Sequence, residues 1–433
     1  MALFEKGKIL KTDFGATITV ESYLDSGGQG DIYIVTYAGE KKVLKWYKPE
    51  NLRDPDKFYR NLKNNIAHGS PDPVFLWPEA ITEKTEGSFG YIMELAPEGY
   101  YTLSKLLASK KYNFSSFKAM TEACIKITSA FRILHNNGYS YQDLNDGNFF
   151  INPETGDVRI GDNDNIVEYG YTSGVLGKPR YMAPEIVVGR GTVLPDTQSD
   201  RYSLAAILFL ILFTQHPLEG KRWLVPCLTD EYAERLYGTE PLFIYDPTDD
   251  GNAPVSHIHK NVVSRWSYAP DYLKEAFIEA FSQDALTDPA RRPIEVDWLK
   301  VLCRFRSDIV RCPLCGNEVF IVNASTTKCD TCHAPVHISN SIHLRDYSIT
   351  VANGSRIYKC QLGTCNADEA LNPVGIVVSN ANNPAALGLK NKTPLTLTAT
   401  TPSGKIKHVA PNEVIPIKAG ITVDAYGTTI TIN

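Results

Sequence analysis

The chain has 433 residues, 43% of them hydrophobic and 21% charged, and a formal net charge of −5. That length exceeds one compact core and divides into two or three domains of ordinary globular composition. A slightly acidic balance without a long basic run argues against nucleic acid or an anionic membrane as the primary partner.

The amino-terminal MALFEKGKILKTDF lacks the apolar stretch of a signal peptide, so a cytoplasmic protein is expected. Two strand-like runs, Thr17–Tyr23 and Ile32–Tyr37, flank Leu24-Asp25-Ser26-Gly27-Gly28-Gln29-Gly30-Asp31-Ile32-Tyr33. Glycines in such a turn let backbone close over a phosphate without side-chain clash. A strand rather than a helix follows, which argues against a dinucleotide site. Lys42-Val43-Leu44-Lys45 reads as the next strand, and residues 56–67 as a helix with Asn61, not an acid, on its inner face. Tyr91-Ile92-Met93-Glu94-Leu95 reads as a further strand.

Between Tyr139 and Asp164 the chain runs YSYQDLNDGNFFINPETGDVRIGDND. Asp143 is followed at five residues by Asn148, then by an apolar run, a turn over residues 152–156 and a second short strand ending at Asp162. A hairpin of this kind brings two carboxylates and a carboxamide to one end. Ala183-Pro184-Glu185 follows, then Asp200-Arg201-Tyr202-Ser203 leading into Leu204–Phe213. Those ten apolar residues are too few to span a bilayer and predict a buried helix. Asp288-Pro289-Ala290-Arg291-Arg292-Pro293 comes later.

In this order the motifs of residues 15–305 resemble those of protein kinases. The resemblance implies an α+β, bilobal kinase fold over 1–305, with the amino-terminal lobe at about 1–95. It implies ATP and Mg²⁺ (or Mn²⁺) as cofactors and a protein as substrate. Asp143 would be the catalytic base and positioner, with Asn148 and Asp162 on the metal and Lys45 on the phosphates. Leu24, Gly27, Gly28, Gly30 and Ile32 would cover the nucleotide. Met93 would be the gatekeeper, and the backbone of Glu94 and Leu95 would meet the adenine. Arg292 would pair with Glu185, and Asp200 would support the catalytic loop.

Four departures bear on mechanism. Tyr141-Gln142 replaces the usual His-Arg before the catalytic Asp, so activation by a phosphorylated loop is not expected. Asn163-Asp164 replaces the aromatic-Gly after the metal Asp; Asp164 is read as a further metal ligand or, more commonly for such a residue, a turn cap. Lys45 is left without its usual helix glutamate. Asn145 stands where a lysine is usual, and Lys178, in Gly177-Lys178-Pro179-Arg180, is a candidate relocated cation.

Cys312-x₂-Cys315 and Cys329-x₂-Cys332 offer four soft ligands on two knuckles, the pattern of a closed structural Zn²⁺ site in a ribbon over 306–340. A disulfide is disfavoured in the expected compartment. Cys124, Cys227, Cys303, Cys360 and Cys365 read as ordinary thiols, and His333, His337 and His343 as surface residues. Residues 341–433 alternate in short runs and predict a small all-β sandwich or barrel of seven to nine strands. Gly388–Thr393 faintly resembles forkhead-associated domains, though their phosphopeptide-binding residues are not visible. A β module for protein contacts is the plainer expectation.

The combination is similar to the bacterial Ser/Thr kinases of the tellurite-resistance-associated triad. That resemblance implies a von Willebrand A-type protein and a metal-dependent protein phosphatase as partners. Two functional classes stay open: an active Ser/Thr kinase, acting on another protein or itself, and a nucleotide-binding pseudokinase scaffold.

Overall fold

The computed structural model describes residues 3–433 apart from 53, 86, 110, 173–176, 322–325 and 339. The chain forms two compact bodies, residues 1–112, 134–152 and 158–203 in the first and 113–133, 153–157 and 204–433 in the second.

The first body opens with a six-stranded antiparallel sheet. Its order is Ile9–Lys11, Thr17–Ser26, Gly30–Tyr37, Glu40–Tyr47, Gly90–Met93 and Ala80–Ile81. Period-two alternation assigns the faces. Ile18, Val20, Tyr33, Val35, Leu44, Trp46 and Ile92 form one core. Tyr47 and Tyr91 turn to the other side, where Phe58 and Leu62 of helix Pro55–His68 cover them. Lys45 lies between Leu44 and Trp46 and points to this second face. Asp54 caps the helix by accepting from the Lys57 amide at 3.0 Å, Pro55 occupies its first turn, and Gly69 ends it at φ 78°.

The predicted hairpin is present, with Phe149–Ile151 antiparallel to Val158–Ile160 and Ile160 opposite Phe149. Strand Tyr101–Thr102 pairs with its outer side. The apolar run Leu204–Phe213 lies in helix Thr197–Phe213 and is buried throughout.

In the second body, Phe213 and Phe277 pack against Phe209, and Phe277 against Trp298. Helices Asp271–Ala280 and Glu295–Asp308 carry Phe277 and Trp298. After residue 308 come two hairpins, Ile309–Arg311 with Glu318–Phe320 and Thr326–Lys328 with Pro335–His337. Val310, Cys312, Val319, Ile321, Cys329 and Val336 form their small core.

The carboxyl-terminal region is all-β, with ten described strands rather than the expected seven to nine. Six form one sheet and four the other, around a single apolar core running from Ile342 to Ile432. The undercount has a physical source. Pro373–Ser379 is a near-continuous apolar run without clean apolar–polar alternation, and edge strands Ser348–Thr350 and Arg356–Tyr358 have only three residues.

Candidate active site

The hairpin is what gathers the site. The Gly161 amide donates to the Asn148 carbonyl at 2.8 Å, so Asn148 and Asp162 leave the hairpin at the same end. The Asn148 carboxamide donates to the Asp143 carbonyl at 2.8 Å, which closes the loop between them. Asp162 takes the left-handed conformation at φ 56°, an unusual state for a residue with a side chain. Asp200 holds the other end of the loop. Its carboxylate accepts from the amides of Tyr141 (2.7 Å) and Gln142 (3.0 Å) and contacts His135 Nε2 at 3.0 Å. Gln142, at φ 68°, depends on that support.

Lys45, without a helix glutamate, finds its partners elsewhere. Its ammonium donates to Asp162 and, at 2.8 Å, to Asp164. Burial alone would lower the Lys45 pKa, but the two carboxylates outweigh it and hold the ammonium charged. Asp164 neither caps a turn nor faces outward. It is fully buried and accepts from the Tyr47 hydroxyl as well. Burial pushes its carboxyl pKa up against the pull of Lys45, whereas Lys45 prevails over burial at Asp162 and holds that pKa down.

The glycine-rich turn closes on the same cation. The Gln29 carboxamide accepts from Lys45 at 3.0 Å and donates to Asn165 at 3.3 Å. Gly27 donates to the Gly30 carbonyl at 2.8 Å. A Cβ on Gly30 would sit 2.4 Å from the Trp46 carbonyl oxygen, so the strand pair tolerates only glycine there. A Cβ on Gly28 would meet nothing, and Leu24, Glu94 and Leu95 are exposed, which leaves this side open to a ligand. Ile32 lies opposite Lys45 and Met93 opposite Val43 in the sheet register.

Asp143 is crowded by the same neighbours. Burial, with the Asp162 charge adding, raises its pKa to about 7, against the pull of Asn145, Lys45 and Lys178. Asn145 donates to the Asp143 carboxylate at 3.3 Å and accepts from the exposed Lys178 ammonium at 3.2 Å. Gly177 permits this approach, because a Cβ on it would lie 3.3 Å from Asp143 Oδ1. Gln142 donates to the carbonyls of Tyr171 (2.9 Å) and Pro195 (3.0 Å), so neutral bonds stand where an arginine would await a phosphate. Asn163, in the aromatic position, is fully buried and donates to the Leu76 and Ile160 carbonyls.

Among residues singled out for structure, Glu185 lies in the first turn of helix Pro184–Gly189 in the first body. Arg292 is buried in the second, where it donates to the Ala285 carbonyl at 3.1 Å. Sequence reasoning did not single out Gln29, Tyr47 or the Lys45 partnership of Asp164. Gln29 and Tyr47 lie within a few residues of recognised motifs, but nothing in the spacing aims their side chains.

A protein kinase domain profile matches residues 76–230. The chain therefore carries a protein kinase domain. Its relatives include the serine/threonine-protein kinase PknB of Mycobacterium tuberculosis, 26% identical over 191 residues, covering 41% of this chain and 29% of that protein. A cGMP-dependent protein kinase of Drosophila melanogaster is 30% identical over 215 residues, 47% of this chain and 22% of the relative. Protein kinase C-like 1 of Candida albicans is 28% identical over 141 residues, 32% of this chain and 12% of the relative. The chain thus spans less than a third of the length of each of these three relatives. The Mycobacterium tuberculosis PknI kinase domain structure aligns with TM-score 0.45 and 18% identity, over 70% of this chain and 98% of that one.

The four ribbon cysteines also meet. Their sulfurs all lie within 4.8 Å of one another, with Cys312–Cys332 at 3.6 Å and Cys315–Cys329 at 3.5 Å. Tetrahedral Zn–S bonds of about 2.3 Å require sulfurs about 3.7 Å apart, so the donor set fits Zn²⁺. Disulfides, at about 2.05 Å, do not describe it. The knuckles are alike, since Gly316 donates to the Cys312 carbonyl and His333 to the Cys329 carbonyl, both residues left-handed. The Cys332 amide draws the Cys329 thiol pKa down to about 6, while burial and the neighbouring thiols push the Cys332 thiol up to about 12.

Proposed function

We propose that the protein is a Mg²⁺- and ATP-dependent serine/threonine kinase that phosphorylates a protein, itself included among the candidates. The observation carrying this reading is the convergence of Asp143, Asn148, Asp162 and Lys45 around one hairpin end. Asn148 and Asp162 would hold the metal, which when bound neutralises charge on the phosphates. Lys45 positions the phosphates, Gly27–Gly30 cover them, and the Leu24, Ile32, Glu94 and Leu95 positions receive the base. Asp143 accepts the hydroxyl proton, which its raised pKa suits. The Gln142 bonds support a kinase not awaiting loop phosphorylation. Retention of Asp143, Asn148 and Asp162 favours activity over a pseudokinase scaffold, which needs none of them.

The ribbon is read as a structural Zn²⁺ site, its four thiolates leaving no position for a substrate. The resemblance to triad kinases supports a cytoplasmic bacterial signalling role beside a von Willebrand A-type protein and a metal-dependent phosphatase. Among the described residues no helix is long and apolar enough to cross a membrane. The test is Asp162→Ala, which should abolish phosphotransfer and weaken Mg²⁺-ATP binding. Unaltered turnover would overturn the site assignment.

A further inference from the structure

An ammonium that positions phosphates must be held in place by something that does not leave when the nucleotide arrives. In protein kinases that holder is a glutamate on the helix beside the sheet, and movement of the helix controls it. Helix Pro55–His68 has no such acid on its inner face. Its Asn61 and Asn65 carboxamides donate instead to the Ile166 carbonyl, at 3.0 and 2.9 Å. The helix therefore grips the segment after the metal Asp, not Lys45.

Two carboxylates do meet Lys45, and their surroundings differ. The Asp162 side chain is 29% exposed, as a metal ligand must be, while that of Asp164 is 0% exposed. A carboxylate so buried is costly unless a partner and hydrogen bonds offset its desolvation. Lys45 and the Tyr47 hydroxyl both donate to the same oxygen, Oδ2 of Asp164. Lys45 and Tyr47, two apart on one strand, share a face. The turn carrying Asp164 is fixed on either side, Asn163 donating to the Leu76 and Ile160 carbonyls and Asn165 accepting from Gln29.

We propose that Asp164 is the positioning residue for Lys45, replacing the helix glutamate of other protein kinases, so that the nucleotide site is set by a fixed turn rather than by helix movement. The proposal rests on the kinase reading above. It gives the two aspartates separate work, with Asp162 facing the metal and Asp164 keeping the ammonium.

The experiment is a double-mutant cycle on the full chain, combining Asp164→Asn and Lys45→Met, read by Mg²⁺-ATP affinity and by kcat and KM. Each single change should weaken ATP affinity about tenfold or more. The double variant should be within about twofold of Lys45→Met alone, because residues acting as one unit are not additive. Losses that multiply would overturn the proposal. Should Asp164→Asn fail to fold, Tyr47→Phe removes only the hydroxyl held by Asp164. It should weaken affinity by roughly 2- to 10-fold in the wild-type background and leave Lys45→Met unchanged. Equal effects in both backgrounds would overturn the proposal too. Nucleotide binding without phosphotransfer in the wild type would sink the kinase reading alone, and no binding at all would sink both.

Discussion

In the proposed kinase reading the Asp143 carboxyl must be ionised to accept a proton, and its surroundings make that costly. Burial and the Asp162 charge lift its pKa to about 7. Below that pH the base is protonated, so kcat/KM should fall about tenfold per unit as pH drops and level off above it. A profile flat down to pH 5 would remove Asp143 from that role. Lys178 offers a second test. Its bond to Asn145 brings an ammonium to a neighbour of Asp143, the proposed base, at a position where protein kinases usually carry a lysine. Lys178→Ala should lower kcat by roughly 10²–10³, and Asn145→Lys with Lys178→Thr should recover much of it. Near wild-type turnover in Lys178→Ala would leave it a surface residue. At this scale the spacing of Asp143, Asn148 and Asp162 foretold their convergence at one hairpin end, which the fold shows. The sequence was illegible at Asp164, because a buried aspartate and a turn-capping one look alike until the strand carrying Lys45 and Tyr47 is in place.

Among the elements, helix Pro55–His68 was predicted within a residue at each end, since its apolar spacing, cap and closing glycine agree. The convergence of the four cysteines on the two hairpins after residue 308 was legible from their spacing, but the anchoring of those hairpins was not. The Glu318 carboxylate accepts from the amides of Phe117 (2.6 Å) and Lys118 (3.1 Å), capping helix Phe117–Asn136 from some 200 residues away. Phe320 stacks on Phe305 and meets Phe117 edge-on. Contacts this distant in sequence leave no local signal. Glu318→Ala should cost about 1 kcal/mol, as loss of a helix cap does, measurable by denaturant unfolding. For the metal, one Zn²⁺ per chain is expected, lost on Cys312→Ser or Cys332→Ser with unfolding of residues 306–340, since so small a core cannot fold alone. Elemental analysis finding no zinc in protein purified without chelator would contradict it.

For the whole molecule, the kinase motifs and the all-β carboxyl-terminal region were readable from pattern alone. The strand count was not, because three-residue edge strands and the near-continuous apolar run Pro373–Ser379 lack clean alternation. The β module gives its polar residues to structure where the faint family likeness was noticed. Buried Asn391 donates to the Leu395 and Val409 carbonyls and accepts from Thr393, which leaves it spent on tying loops. The central claim, phosphotransfer from a hairpin-assembled site, stands on Asp143 above all. Purified full chain incubated with γ-labelled ATP, Mg²⁺ and a panel of protein substrates tests it most directly, beside an Asp143→Ala control. The account predicts label on serine or threonine with the wild type and none with the variant; equal labelling by the two, or none by either, would contradict it.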